Sequence, residues 1–191
     1  MADVKKLAPI ILKWEAGAPI QTTLEEQWVV AVRKGFSNHP NDTGGATMCG
    51  ITLKTYTSYR KKKGGKEPTV EDLKKISLCE WLDVLKTLYW DKMKADNINN
   101  QSIANLCVDN VWGSGSGYIK NIQRVVGVTA DGIVGNHTLS AINNHQNQRE
   151  LFGKLWERRR VFYVNLTVAR PSEQVFLKGW MNRLYDFKFY E

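Results

Sequence analysis

Leu7-Ala8-Pro9-Ile10-Ile11-Leu12-Lys13-Trp14-Glu15 and, after an interval, Ser37-Asn38-His39-Pro40-Asn41-Asp42-Thr43-Gly44-Gly45-Ala46-Thr47 are the runs around which the chain is organised. In the first, Leu7, Ile11 and Trp14 recur at helical spacing with Ala8 and Leu12 beside them, so one helix face is apolar. Glu15 falls on or beside that stripe. Gly17 and Pro19 follow as stop signals. Partial burial and the negative end of the helix dipole both disfavour the anion of a Glu at this place. A Glu kept protonated near neutral pH is what a general acid needs. The plainer reading is a solvated helix-terminal Glu, and spacing alone favours it.

The second run is a loop. Pro40, Gly44 and Gly45 rule out a continuous helix, and Asn38, Asn41 and Asp42 favour turns through their own side-chain hydrogen bonds. Gly44 and Gly45 let backbone approach a ligand closely. Asp42 can hold or deprotonate a water, and Thr47 can help position it. Glycosidases commonly place two carboxylates across the scissile bond, one as acid and one as base or nucleophile. An Asx-turn with a Gly-Gly hinge accounts for the same residues without chemistry, and the residues alone leave both readings open.

With Met48-Cys49-Gly50-Ile51-Thr52 appended, these runs resemble glycoside hydrolase family 108. That family holds bacterial and phage N-acetylmuramidases, some of them called secretion activator proteins. Its pattern is a helix ending in Glu-Gly-Gly, an Asn-x-Pro-x-Asp turn, then Gly-Gly-x-Thr-x-x-Gly-Ile-Thr. The resemblance implies a mainly α, lysozyme-like fold and cleavage of the β-1,4 bond between N-acetylmuramic acid and N-acetylglucosamine in peptidoglycan, with no metal or organic cofactor. It implies that Glu15 is the catalytic acid. It also implies that Asp42 and Thr47 stand where phage-type lysozymes of family 24 keep their Glu-Asp-Thr set. Asn38, Gly44 and Gly45 are the expected substrate contacts of the loop.

The chain departs from the pattern in one place. Ala16-Gly17 follows Glu15, and the expected aromatic appears only at Phe36. Residues 18–35 therefore read as an insertion, with Thr23-Leu24-Glu25-Glu26 as a capping box and Leu24, Trp28 and Val32 as an apolar stripe. A competing alignment starts at Lys34-Gly35-Phe36 and puts Arg33 where the acid should be. Glu15 is preferred because the helix before it matches the pattern. Glu25 and Glu26 are the substitutes, although the capping box already explains Glu26.

The formal charge of +8 suits an anionic partner, and peptidoglycan is the expected one. No recognition motif favours nucleic acid. Arg60-Lys61-Lys62-Lys63 reads as a solvated loop, and Arg158-Arg159-Arg160 as the outer face of a long helix. Cys49, Cys79 and Cys107 have no metal spacing. Cys79 and Cys107 are expected to be buried, and Cys49 exposed. The N-terminal apolar run is too short and too charged for a secretory signal, and no segment is suited to membrane insertion. A cell-wall enzyme without a signal needs a holin, dedicated secretion or lysis to reach its substrate.

Further along, Thr52, Thr69 and Ser77 are expected to cap helices. Tyr56 and Trp90 are candidates for the sugar groove, weighed against a core role. The Asn-rich stretch Asp96–Gln101 marks a boundary, giving a hydrolase region at 1–96 and a helical region at 97–191. In the latter, Asp109-Asn110-Val111-Trp112-Gly113-Ser114-Gly115 resembles a recurrent family run, which makes Asp109 and Trp112 secondary site candidates. The Asp-Gly-x-x-Gly-x-x-Thr core at Asp131–Thr138 resembles predicted peptidoglycan-binding domains and is expected to be largely architectural. A long helix from Glu150 and a last one capped by Ser172, with Val175, Phe176, Trp180, Leu184 and Phe187 inward, complete a C-terminal bundle. Two rivals remain: a lytic transglycosylase, and a non-catalytic peptidoglycan-binding or secretion-accessory protein.

Overall fold

The computed structural model describes residues 1–38 and 45–191. Packing divides the chain into two compact units, one of Val4–Leu88 and one of Tyr89–Glu191 together with Met1–Asp3.

The first unit opens with α1 (Ala8–Ala16), whose Pro9 lies in the first turn, where its missing N–H costs nothing. Gly17 ends the helix in the left-handed conformation (φ 61°) and returns its N–H to the Leu12 carbonyl. Leu7, Ile11 and Leu12 are fully buried, as the helical spacing requires. Helix α2 (Leu24–Lys34) begins with the expected capping box: the Thr23 hydroxyl accepts from the Glu26 N–H at 3.2 Å, and the Glu26 carboxylate accepts from the Thr23 N–H at 3.1 Å. Its buried face is rotated from the expected stripe. Val32 is exposed, and Gln27 and Ala31 turn inward. Gln27 tolerates burial because its Nε2 donates to the Pro9 carbonyl at 2.9 Å and the Ala18 carbonyl at 3.0 Å. These bonds fasten α2 onto α1.

Three two-residue strands follow, which the loop reading did not foresee: β1 (Phe36–Ser37), β2 (Thr47–Met48) and β3 (Ile51–Thr52), antiparallel in the order β1-β2-β3. Phe36 pairs with Met48 and Met48 with Ile51; Ser37 pairs with Thr47 and Thr47 with Thr52. Paired residues share a face, so the sheet has one apolar face and one hydroxyl face. Cys49 (φ 47°) and Gly50 (φ 82°) make the turn between β2 and β3, with both residues at the positive φ that a tight hairpin demands.

Helices α3 (Leu53–Lys62), α4 (Val70–Lys74) and α5 (Leu78–Leu85) are capped by Thr52, Thr69 and Ser77 as expected. The basic run Arg60-Lys61-Lys62 is the last turn of α3, where cations suit the helix dipole, and not a loop. A π-helical turn, Lys86–Trp90, continues α5.

In the second unit, α6 (Gln101–Ser114) is buried from Ser102 to Val111, the pattern of a central helix. Around it stand α7 (Ile119–Val125), α8 (Asn136–Asn143), α9 (Gln148–Ala169) and α10 (Leu177–Asp186). The segment Pro171–Phe176 is a 3-10 turn, so Ser172 caps no α-helix. Val175 (76% exposed) and Phe176 (55%) point outward, while Leu184 and Phe187 are buried. The Arg158–Arg160 run does not form one solvated face. Arg158 donates to Asn121 Oδ1, Arg160 pairs with Glu157, and Arg159 is buried. Its guanidinium lies 4.4–5.3 Å from the ring centres of Tyr118, Phe162 and Tyr163 and donates to Ser114 Oγ at 2.7 Å. No helix among the described residues is long and apolar enough to cross a membrane.

Candidate active site

Glu15 stands on the last turn of α1, half-buried, against the β2–β3 hairpin. A Cβ added to Gly50 would lie 2.6 Å from Glu15 Cγ, 2.7 Å from its Oε2 and 2.8 Å from its carboxyl carbon. The carboxylate therefore occupies the space that any side chain at position 50 would take. Gly50 is required there twice, for that space and for its φ of 82°.

The turn that carries Gly50 is held on three sides. The Cys49 N–H donates to the Gly35 carbonyl at 2.8 Å, Trp81 Nε1 donates to the Cys49 carbonyl at 3.0 Å, and the Leu53 N–H donates to the Ala46 carbonyl at 2.8 Å. Trp81 is itself wedged beside Trp28, with ring centres 5.8 Å apart. Cys49 is buried, contrary to expectation, and Cys79 is exposed. Burial, reinforced by the negative charge of Glu15, pushes the Cys49 thiol up to about 12, so it stays protonated beside the carboxylate at any physiological pH.

Residues 18–35 leave the end of α1 and return to it. A Cβ on Gly35 would meet the Ala16 Cβ at 3.2 Å and the Ala31 carbonyl at 2.9 Å. The sequence break between Glu15 and Phe36 is thus bridged in space at Ala16 and Gly35. The helix end and the hairpin meet although residues 17–46 stand between them in the chain.

Thr47 lies on β2, on the hydroxyl face, with its Oγ1 donating to the Gly45 carbonyl at 3.2 Å. Gly45 has φ 68° with open space where a Cβ would be, and Asn38 is exposed just after β1. Asp42 and Gly44 lie outside the described residues. Tyr56 is 1% exposed, stacked on Tyr59 with ring centres 6.2 Å apart. Trp90 is fully buried and donates from Nε1 to Asp96 Oδ1 at 2.7 Å. Both belong to the packed interior, so the groove-wall expectation for them is corrected to a core role. Asp109 is buried in an ion pair with Arg183 at 2.6 Å that ties α6 to α10 within the second unit. Trp112, half-buried, packs against Tyr89 at 4.6 Å between ring centres.

Sequence reasoning missed Gly50, Gly35 and Gln27 as parts of the site's frame. For Gly50 a signal existed. Thr47-Met48 and Ile51-Thr52 flank a two-residue x-Gly segment, the mark of a tight hairpin.

The fold is mainly α and lysozyme-like, and the site places a carboxylic acid at a helix end against a glycine-bearing hairpin. Residues 26–115 match the family model described as Glycosyl hydrolase 108, and residues 118–185 match the one described as Predicted Peptidoglycan domain. Along the chain a segment similar to glycosyl hydrolase 108 thus precedes a segment similar to a predicted peptidoglycan domain, which supports a glycosidase-family reading. The first match begins at Glu26 and does not reach Glu15; it also extends through α6, which packs in the second unit. Among solved structures, Brucella abortus SagA is similar, with 24% identity, a TM-score of 0.72, and coverage of 96% of this chain and 90% of that one. That likeness is one of fold. No curated protein matches the chain.

Proposed function

We propose that the protein hydrolyses the β-1,4 bond between N-acetylmuramic acid and N-acetylglucosamine in peptidoglycan. Glu15 protonates the leaving oxygen as general acid. Asp42 holds or activates the water, and Thr47 orients it from the hydroxyl face of the sheet. The observation that carries this reading is the seat of the Glu15 carboxylate on Gly50, which joins the two halves of the motif across the inserted segment.

A second reading is a peptidoglycan-binding protein without catalysis. The start of the hydrolase-family match at Glu26, past Glu15, favours it. Incubation of purified peptidoglycan with the protein, followed by mass spectrometry of the soluble fraction, separates the two. Fragments with reducing N-acetylmuramic acid ends are expected. Reducing N-acetylglucosamine ends would assign the other glycosidic bond, and anhydro ends, lighter by one water, would make it a transglycosylase. Sedimentation with the sacculi and no soluble fragments would favour the binding reading.

A further inference from the structure

We propose that a cavity on the Asp131–Thr138 loop of the second unit is a sugar subsite for an N-acetylated hexose of a glycan strand; this rests on the glycan-strand reading above. The cavity is about 550 Å³, within the range of small-ligand sites, and is lined by Gln123, Thr129, Asp131, Ile133, His137 and Thr138 among others. It lies inside the segment 118–185.

One buried amide builds its wall. Gln123, 1% exposed, donates from Nε2 to Asp131 Oδ1 at 2.7 Å, to the Ile133 carbonyl at 3.1 Å and to Thr138 Oγ1 at 3.3 Å. Its Oε1 accepts from the Gly132 N–H at 2.7 Å. The Ile133 N–H also donates to Asp131 Oδ1, at 2.8 Å. Asp131 Oδ1 is thus taken by two donors, and Oδ2 accepts from no other residue among the described residues. The carboxylate is fixed in orientation with one acceptor open, before any ligand arrives.

The chemistry of the wall selects the ligand. The Ile133 N–H and the Gln123 amide hold the Asp131 carboxyl below its usual range, so it is an acceptor-only anion at neutral pH. It is the one acidic or basic lining residue apart from His137. Lys120, whose stem lies beside Gly132, also holds this carboxyl ionised, and the anion accepts from neutral hydroxyls. Ile133, 71% exposed, and Val128 offer an apolar surface for an acetamido methyl or the apolar face of a ring. Thr129 and His137 add polar groups at the same wall. The loop expected to be architectural is architectural through Gln123 and Thr138, and it also presents this open acceptor.

The test is a titration of the full chain with a β-1,4-linked N-acetylglucosamine tetramer, read by amide chemical shifts and calorimetry. Shifts are expected between Gly127 and Thr138. Asp131→Asn keeps the acceptor toward Gln123 and Ile133 but replaces the open oxygen with an amide donor. It is expected to weaken this binding at least about tenfold, the scale of one hydrogen bond to a charged group, with amide shifts outside the loop showing that the fold is kept. Equal affinity in the variant would overturn the proposal. Shifts confined to residues 15 and 45–52 would overturn it while leaving the hydrolase reading intact. Shifts at the loop with a free stem peptide and none with the sugar would overturn the choice of ligand.

Discussion

At the scale of single residues, Gly50 and Gly45 make a matched pair. Both have positive φ, but only at Gly50 would a Cβ strike another group, the Glu15 carboxylate. Gly45→Ala should cost only backbone strain, roughly 1 kcal/mol. Gly50→Ala should cost the same strain and also displace the acid, so its kcat/KM on peptidoglycan should fall well beyond that of Gly45→Ala. Equal activity losses would mean that Gly50 does not seat Glu15. Glu15 and Thr47 could be named as candidates because the motif quotes them directly. Cys49 and Cys79 were not, because local hydropathy does not tell which side of a turn or a first helical turn faces the core. Cys49 is drawn inward by the Trp81 and Gly35 bonds to its backbone, partners 32 and 14 residues away in the chain.

At the scale of elements, the capping box at Thr23 and the caps at Thr69 and Ser77 were legible because donor and acceptor lie three residues apart. The face of α2 was not. Gln27 turns inward only because two carbonyls of the preceding segment await its amide, and no periodicity of α2 records them. Gln27→Leu removes both bonds and leaves those carbonyls buried with fewer partners. It should destabilise the first unit by about 2–3 kcal/mol, and a denaturant melt of the full chain, followed by tryptophan fluorescence, checks this. An effect under about 0.5 kcal/mol, the level of ordinary surface substitutions, would mean that α2 is not fastened by Gln27.

The α3–α5 pairing carries a pH dependence. Burial works against the Asp83 anion, but bonds from Lys63, Tyr59 and Thr87 outweigh it and lower its pKa below the ordinary carboxylate value. A carboxyl depressed in the folded state contributes stability above its unfolded pKa, about 3.9, and loses it as pH falls through the lower folded value. The melting temperature of the native protein should therefore fall on acidification below about pH 4 by more than that of Asp83→Asn. Parallel curves would remove Asp83 from the account.

At the scale of the whole molecule, the helical character and the C-terminal bundle followed from period and composition, and the buried polar contacts did not. Asp109 on an apolar helix read either as a buried structural residue or as a site residue. Its partner, Arg183, lies 74 positions later, a separation that no local pattern bridges. Asp109→Ala removes the carboxylate from a largely buried ion pair with Arg183 and should lower stability, by about 3 kcal/mol, with kcat unchanged at temperatures where the variant stays folded. A fall in kcat with an unchanged melt would return Asp109 to the active site. Arg159 was hidden in the same way, since a run of three arginines reads as a surface until three aromatic rings and the end of α6 close around the middle one.

Glu15, at the end of α1 and seated against Gly50, is the proposed acid. The measurement that tests it most directly is the turnover of purified peptidoglycan by Glu15→Gln beside Glu25→Gln and Glu26→Gln, each shown to be folded. A loss of about 10²-fold or more confined to Glu15→Gln, the scale of a missing general acid, is the predicted result. Undiminished turnover by Glu15→Gln, or a comparable loss in either of the other two alone, would contradict it.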